Sequence, residues 1–367
     1  MEQNKRHTGL DLMRICAFFF VAGVHFFLNS GFYEQIVAGP RMYIMVVLRN
    51  LFMICIPLFM VMSGMVLGDR KPGLSYYLGI IKVIFIYVLA SICCGVYRAV
   101  FLDQPISPVQ MISGILSYWV ADYGWYIEMY LGLFLLIPFL NIAYDALKTK
   151  KGKQILLLVM LVLTAVPGVV NIWRVDGLDW WLRPSSVQIY HQIIPEFWID
   201  LYPLTFFFIG RYLREYPLKL SRPVNLLLIL AVTLFNGSFN YYRSFGNIFV
   251  WGGWQTWGAL PNVALAALVA NFFNGLTCEK LPQKAKSALA MVSNWALGAY
   301  LVSWIFDSVL YRMLSNHVAV MHYRLEWFPV IVLAVAICSL ALSAVLYGIY
   351  SLTGAKLIEW LRKKLCK

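Results

Sequence analysis

The stretch GLDLMRICAFFFVAGVHFF, residues 9–27, decides the fold, because it is long and apolar enough to span a membrane. It nevertheless carries three ionisable residues, Asp11, Arg14 and His25. A charge facing hydrocarbon costs about 3 kcal/mol even on lenient scales, so such residues usually face a protein interior or water. We therefore predict a first helix that borders a polar interior and marks a functional site.

The spacing of these residues places them on one side of the helix. Arg14 and His25 are eleven residues apart, which leaves them about 20° apart around the axis and about 16 Å apart along it. Around the same axis, Asp11 lies about 40° from His25 in the direction opposite to Arg14. The three side chains therefore form a polar stripe along an apolar helix.

The composition indicates an integral membrane protein. Of 367 residues, 61% are hydrophobic and only 13% are charged, whereas soluble domains carry about 25% charge. Apolar segments of about 17 residues or more recur along the chain and predict an all-α, polytopic fold with about ten transmembrane helices. The predicted spans are 10–29, 44–67, 76–102, 124–144, 154–171, 197–213, 224–241, 255–275, 288–314 and 327–351. We expect one membrane domain over residues 1–367, with short tails at about 1–9 and 353–367 and no appended soluble domain.

Basic residues predict the orientation. With a cytoplasmic N-terminus, twenty of the thirty Lys and Arg residues fall in cytoplasmic segments and six fall outside. This bias follows the positive-inside rule and places both termini in the cytoplasm. We therefore attribute the net charge of +13 to the basic residues that set the topology of the chain. We expect the protein in a bacterial-type cell (inner) membrane. Its expected partner is then the lipid bilayer, and no nucleic acid is expected. A homo-oligomer is left open.

The cysteines do not indicate a metal site. The chain has seven cysteines, which fall mostly inside apolar segments and form no CxxC or other ligand spacing. We expect neither a disulfide framework nor a bound metal.

Further ionisable residues within the predicted helices fall at two depths. Near the level of His25 we place Arg49, Arg98, Glu128 and Asp307, and near the cytoplasmic side we place Asp11, Arg14, Lys82 and Arg211. This arrangement predicts a vestibule that opens to the cytoplasm and leads towards an outer site. Taken singly, Arg49, Arg98 or Lys82 could equally be a structural interhelical pair or a snorkelling side chain.

Tryptophan is concentrated on the predicted outer side. Ten of the thirteen tryptophans lie in or beside outside segments, including Trp125, Trp180 and Trp181. Aromatic belts normally occupy both interfaces. Interfacial anchoring explains some of this excess, and an outward surface for a sugar or lipid-linked acceptor is the alternative.

Several motifs resemble the acyltransferase 3 family of membrane acyltransferases, in the family's order along the chain. LDLMRICAFFFVAGVH resembles the family's first helix, where a basic residue and a histidine are separated by ten positions. FMVMSGMVLG resembles its Ser-Gly motif through Ser63 and Gly64, and GWYIEMYLGLFLLIPFL resembles its Trp…Tyr-Leu…Pro helix. FFFIGRYL and LGAYLVSWIF resemble two later segments. The chain departs from the family at Ser303, where many members have histidine, and at Lys82, where many have an arginine-rich pattern.

The resemblance implies a cytoplasmic acyl-CoA donor, such as acetyl-CoA, and O-acylation of an extracytoplasmic or lipid-linked carbohydrate of the cell envelope. Acyl-CoA is then a substrate, and no tightly bound cofactor is expected. Histidine suits the chemistry, because a base with a pKa near neutral can deprotonate a hydroxyl. The sequence leaves open whether His25 is that base or carries the acyl group.

The remaining candidate roles follow from charge and depth. Asp11 would orient Arg14 one turn away. Lys82, Arg211 and Ser63 are the candidates for donor binding, since cations meet the phosphates of CoA. The candidates for acceptor binding are Glu128, Arg49, Arg98, Asp307, Trp125, Trp180 and Trp181. A transporter or flippase for lipid-linked glycans or small solutes is the alternative function, because buried charges in ten helices suit it equally well.

Overall fold

Long apolar segments fold into helices because a helix satisfies every backbone polar group within the segment. The computed structural model describes residues 7–174, 176–187 and 190–365, and these contain no β-strand. The helices of two turns or more are α1 (Thr8–Asn29), α2 (Gly39–Phe52), α3 (Cys55–Leu67), α4 (Ile80–Phe101), α5 (Pro108–Leu116), α6 (Trp125–Ala146), α7 (Lys150–Thr164), α8 (Tyr202–Glu215), α9 (Arg222–Ser244), α10 (Leu260–Asn274), α11 (Gln283–His317), α12 (Phe328–Leu352) and α13 (Gly354–Leu365).

Eight helical segments of the described chain are long and apolar enough to cross a membrane. They correspond to eight of the ten predicted spans. The other two, 154–171 and 197–213, correspond to α7 and α8, which have only 15 and 14 residues. The helical hydrogen bonds of α7 end at Thr164, because Pro167 follows and has no N–H to donate. Helix α8 begins only at Tyr202. Both helices are therefore shorter than the roughly 20 residues that a full crossing needs.

The second predicted span is broken into α2 and α3. Pro57 has no N–H to donate to the carbonyl of Met53, and its ring crowds that carbonyl. The chain therefore turns at residues 53–54 and resumes a helix at Cys55. The break redirects the chain, so that α2 packs mainly on α9 whereas α3 packs on α1, α8 and α10.

Helix α1 lies at the centre of the bundle. It contacts α2, α3, α10, α11 and α12. Its apolar residues Ala17, Phe18 and Ala22 are almost completely buried. This central position explains how a helix with three ionisable residues can be accommodated, since its polar stripe faces protein and not lipid.

Two glycines let α3 and α8 approach closely. A Cβ atom at Gly64 would lie 2.0 Å from the carbonyl oxygen of Phe207, and one at Gly210 would lie 1.9 Å from that of Val61. No side chain fits at such distances, so the backbones touch directly. Small residues at helix interfaces serve this purpose in membranes, where van der Waals packing holds helices together.

We predict that Gly64→Ala lowers stability by about 1–3 kcal/mol, because the added methyl group forces α3 away from α8. The matched control is Gly132→Ala in α6, where an added Cβ meets no atom within 4 Å. Thermal unfolding of the two variants in one detergent measures the difference. Equal melting temperatures for both variants would contradict the close packing.

Candidate active site

Two contacts bring the stripe of α1 against α11. The Nη1 of Arg14 donates a hydrogen bond to Oγ of Ser293 over 3.0 Å. The Nδ1 of His25 lies 2.9 Å from Oδ2 of Asp307. Arg14 precedes His25 on α1, and their partners follow in the same order on α11, fourteen residues apart. The two helices therefore run parallel to each other. Arg14 and His25 therefore share one face, as their spacing predicts, and Asp11 is buried on the same helix one turn before Arg14.

His25, Asp307 and Tyr123 form a buried polar centre. His25 is 7% exposed and Asp307 is 1% exposed. The hydroxyl of Tyr123 donates to Oδ2 of Asp307 over 2.8 Å, and its ring lies 4.0 Å from the imidazole, centroid to centroid. Nδ1 of His25 is not aligned for a hydrogen bond, and Oδ1 of Asp307 has no partner among the described residues. The centre therefore has unused hydrogen-bonding capacity, which a bound substrate could satisfy.

Tyr123 reaches this centre on residues 117–124, which enter the bundle without spanning it. We call these residues the re-entrant segment. Helix α5 ends at Leu116, and Tyr118 takes a left-handed conformation with φ of 60° that turns the chain inward. Val120 and Ala121 are completely buried. Irregular backbone at this depth is tolerated where protein covers it. Residues 106–121 are too few to span a membrane, and the length of this segment alone does not reveal its re-entry.

Tyr300 holds the re-entrant segment in place. Its hydroxyl donates to the backbone carbonyl of Tyr123 over 2.7 Å. Tyr300, Ser303 and Asp307 lie on one face of α11 and are all buried. Ser303 donates to the carbonyl of Tyr300 over 2.9 Å. The position at which many family members have histidine is thus occupied here by a serine bonded within its own helix.

A cavity of about 310 Å³ opens below this centre, towards the end of the bundle where α1 begins. Its volume is at the lower end of the range for small-molecule sites. Two cations, Arg14 and Lys82, line it together with Ser63. The other lining residues are Ile56, Phe59, Met62, Val66, Leu67, Val83, Tyr126, Tyr130, Ser293, Asn294, Leu297, Tyr300 and Tyr347. The cavity is therefore cationic at two points and otherwise mostly apolar and aromatic.

A thin layer of aromatic side chains separates the cavity from His25. Tyr126 and Tyr300 form part of the cavity wall. The ring of Tyr300 lies 6.0 Å from that of Tyr123, which lies 4.0 Å from the imidazole. The structure therefore has a cavity on the Arg14 side, where the vestibule was predicted. The rings of Tyr300 and Tyr123 separate this cavity from His25.

Other predicted donor and acceptor cations are held in ion pairs. Arg211 contacts Asp145 over 2.5 Å and Asp69 over 3.7 Å, and it is not among the described residues that line the cavity. Arg98 is paired with Asp122 and covers the ring of Trp304 at 4.1 Å. Arg211 thus pairs with a carboxylate on α6, whereas the carboxylate paired with Arg98 lies on the irregular segment just before α6.

The predicted acceptor residues fall in several separate places. Glu128 is exposed on α6, and Trp125 is stacked on Trp257. Trp180 is 1% exposed and Trp181 is 56% exposed, so neighbouring tryptophans differ sharply. Arg49 is completely buried on the far side of α1 from Asp307. Only Asp307 of this group contacts His25.

Sequence reasoning missed Tyr123, Tyr300 and Ser293. Tyrosine and serine occur throughout apolar helices as packing residues, and the re-entrant segment has no periodic signal. The one usable signal was helical spacing on α11, where Ser293, Tyr300 and Asp307 follow each other at seven-residue intervals. That spacing would have placed all three on the face towards α1.

The fold and the buried centre define a polytopic membrane protein with a histidine–carboxylate pair beside a cationic cavity. The family model for the acyltransferase domain matches residues 7–347, nearly the whole chain. The protein therefore belongs to the acyltransferase 3 family and is an acyltransferase. No curated protein and no solved structure was found to match the chain.

We predict that Tyr300→Phe loosens the re-entrant segment, because the carbonyl of Tyr123 loses its buried donor at a cost of about 1–3 kcal/mol. Hydrogen exchange of the amides of residues 117–124 should become faster. The control is Tyr43→Phe, which removes an exposed hydroxyl contact with Ser238 and should leave these amides unchanged. Unchanged exchange in Tyr300→Phe would show that the segment is held by other contacts.

Proposed function

We propose that the protein transfers an acyl group, most simply acetyl, from a cytoplasmic acyl-CoA to a hydroxyl of an extracytoplasmic or lipid-linked carbohydrate. Family membership supports acyl transfer in general. The observation that carries the finer proposal is the cavity. It is lined by two cations, and two tyrosine rings separate it from the buried histidine–carboxylate pair.

The donor end of the proposal follows from charge and size. The phosphates of CoA need cationic partners, and Arg14 and Lys82 supply them at the cavity wall. A volume of about 310 Å³ suits the narrow pantetheine arm better than the nucleotide, which we place at the mouth. Lys82 also lies 5.1 Å from the ring centroid of Tyr347, so aromatic contacts hold its chain beside the cavity.

The chemical step follows from the His25 environment. Asp307 lies beside Nδ1, which leaves Nε2 as the nitrogen that accepts a proton. In the base mechanism, Nε2 takes the hydroxyl proton, the oxygen attacks the thioester carbonyl, and the C–S bond breaks. The thiolate then receives the proton from the imidazolium. In the carrier mechanism Nε2 itself attacks the thioester carbonyl, and the C–S bond breaks to release the CoA thiolate. The acceptor hydroxyl then attacks the acyl group, the N–acyl bond breaks, and the hydroxyl proton passes to the thiolate. Asp307 stabilises the positively charged imidazole ring in either mechanism.

Opening of the tyrosine layer is part of this proposal. Tyr123 and Tyr300 must separate for a thioester in the cavity to reach Nε2. Such a step requires the re-entrant segment to move against the Tyr300, Asp307 and Arg98 contacts that hold it, and its irregular backbone is part of no helix that would have to unfold. We therefore assign Tyr123 a positioning role through Asp307 and a second role in closing the cavity.

The orientation follows from the positive-inside rule. The end of the bundle where α1 begins carries Lys153, Arg211 and Arg214 near the ends of α7 and α8. A cytoplasmic location for this end would place the cavity mouth where acyl-CoA is made. His25 would then lie about 16 Å further across the membrane than Arg14.

We predict that His25→Gln lowers kcat by about 10²–10⁴-fold, the usual contribution of a general base. Asp307→Asn should lower kcat by about 10–100-fold with an unchanged KM, since it removes a charged partner worth about 1.5–3 kcal/mol. The measurement is transfer of label from radiolabelled acetyl-CoA to cell-envelope acceptors. His317→Gln, at an exposed histidine, is the matched control. Wild-type transfer by His25→Gln would refute the mechanism.

We predict that Arg14→Gln and Lys82→Gln raise KM for acetyl-CoA by about 10–100-fold, because each removes a charged contact to phosphate. With acetyl-pantetheine, which has no phosphate, the same variants should match the wild type. Lys71→Gln, at an exposed lysine beyond α3, is the control. An equal loss with both donors would assign these cations a role other than phosphate binding.

A further inference from the structure

Two arginines outside the proposed reaction are buried without a counter-charge. Arg49 on α2 and Arg243 on α9 are both completely buried. Neither takes part in any ion pair found in the described part of the chain. A buried guanidinium is normally stabilised by a carboxylate or another anion, since burial without one is costly. This pair is therefore unusual for a structural role.

Each guanidinium has two nitrogen atoms without a hydrogen-bond partner among the described residues. For Arg49, Nε donates to the hydroxyl of Tyr33 over 3.1 Å, while Nη1 and Nη2 have no acceptor. For Arg243, Nη2 donates to the hydroxyl of Tyr190 over 2.5 Å, while Nε and Nη1 have none. All four unpaired nitrogens are buried from solvent.

Aromatic rings cover the faces of both guanidinium groups. Arg49 lies 4.8 Å from the ring centroid of Phe249 and 5.1 Å from that of Trp251. Arg243 lies 4.9 Å from Trp180 and 5.0 Å from Trp254. Cation–π contacts use the flat face of a guanidinium and leave its N–H edges available. Those edges are where oxyanions bind.

The two arginines lie at neighbouring positions on packed helices. Asn240 on α9 donates to Oδ1 of Asn50 on α2 over 3.1 Å. Arg49 directly precedes Asn50, and Arg243 follows Asn240 by three residues, about 4.5 Å along the axis.

The two helices run in opposite directions and approach closely at Val47 and Gly237. Arg49 and Arg243 lie on opposite sides of that approach, and each side chain tilts towards the N-terminus of its own helix, so the two side chains extend towards each other. Residues 249–254 supply a ring to each of them.

We propose that Arg49 and Arg243 form a binding site for a phosphate group, closed in this structure by residues 249–254. A phosphate or diphosphate suits two guanidinium groups better than a carboxylate does, because it carries about two negative charges and at least three acceptor oxygens, whereas a carboxylate carries one charge. Trp251 covers the site and is 57% exposed, and Gly252 and Gly253 follow it, so this segment can lift. The ligand is a free phosphate compound or the headgroup of a phospholipid.

This site is separate from the His25 centre. Phe27, Phe52 and Phe328 stack between α1 and α2, with centroid distances of 5.5–6.4 Å. His25 faces α11 on the opposite side of α1. Binding of phosphate can therefore be measured without acyl transfer, and the proposal does not depend on the proposed reaction.

The experiment measures the Tm of the purified protein against ligand concentration at constant ionic strength. One arm titrates sodium diphosphate, and the other compares nanodiscs of phosphatidylcholine with and without phosphatidylglycerol. We expect a saturable rise of about 5 °C at about 100 times Kd for the wild type, because a ligand that binds only the folded state stabilises it. The control Arg41→Gln, at an exposed arginine paired with Glu326, should show the same rise.

Arg49→Gln and Arg243→Gln should each abolish the rise, and the double variant should behave like either single variant. Arg49→Lys keeps the charge and should weaken binding about tenfold, which provides a test if Arg49→Gln does not fold. A rise with diphosphate identifies a free phosphate compound, and a rise with phosphatidylglycerol alone identifies a lipid headgroup. The proposal is overturned if the wild type shows no rise in either arm, or if the glutamine variants show an equal one.

Discussion

The contact between His25 and Asp307 joins two ionisable groups in the buried, mostly apolar interior of the bundle. Each of them alone would be costly to bury, because an isolated charge in a low-dielectric interior loses its hydration. Side by side, each gives the other a polar neighbour, and their contact joins α11 to α1 in a parallel arrangement. The central position of α1, the buried face of α11 and the inward turn of the re-entrant segment all follow from giving these groups polar neighbours.

The same constraint explains why the cavity and the polar centre are distinct. Arg14 lies at one end of the stripe, where it donates a hydrogen bond to Ser293 and lines the cavity. His25 lies at the other end, where Tyr123 and Tyr300 close off the interior. Under the proposed function, these tyrosine rings would keep water away from the thioester until both substrates are bound, which limits wasteful hydrolysis.

Much of the fold could be predicted from the sequence, because a membrane imposes strong rules on composition and length. Of the ten predicted crossings, eight correspond to helical segments of the described chain that are long and apolar enough to cross a membrane. Helical spacing also predicted that Arg14 and His25 share a face. The spans at 154–171 and 197–213 were less well described, because α7 and α8 have only 15 and 14 residues and are too short for a full crossing. The candidate site was predicted only in part, since Tyr123 lies on irregular backbone without a period.

By itself, the sequence determined the helical class, the recurrence of membrane-length segments and the polar stripe on α1, since these depend on local periodicity and hydropathy. Only the tertiary structure decided which of the many ionisable residues meet. Asp307 contacts His25, whereas Arg98 and Arg211 form ion pairs elsewhere, and Arg49 lies among aromatic rings. The physical reason is that helix rotation and neighbour choice are set by packing, by close approaches such as that of Gly64 and Gly210, and by the pairing of buried charges. Those contacts join residues far apart in the chain, where local pattern carries no information.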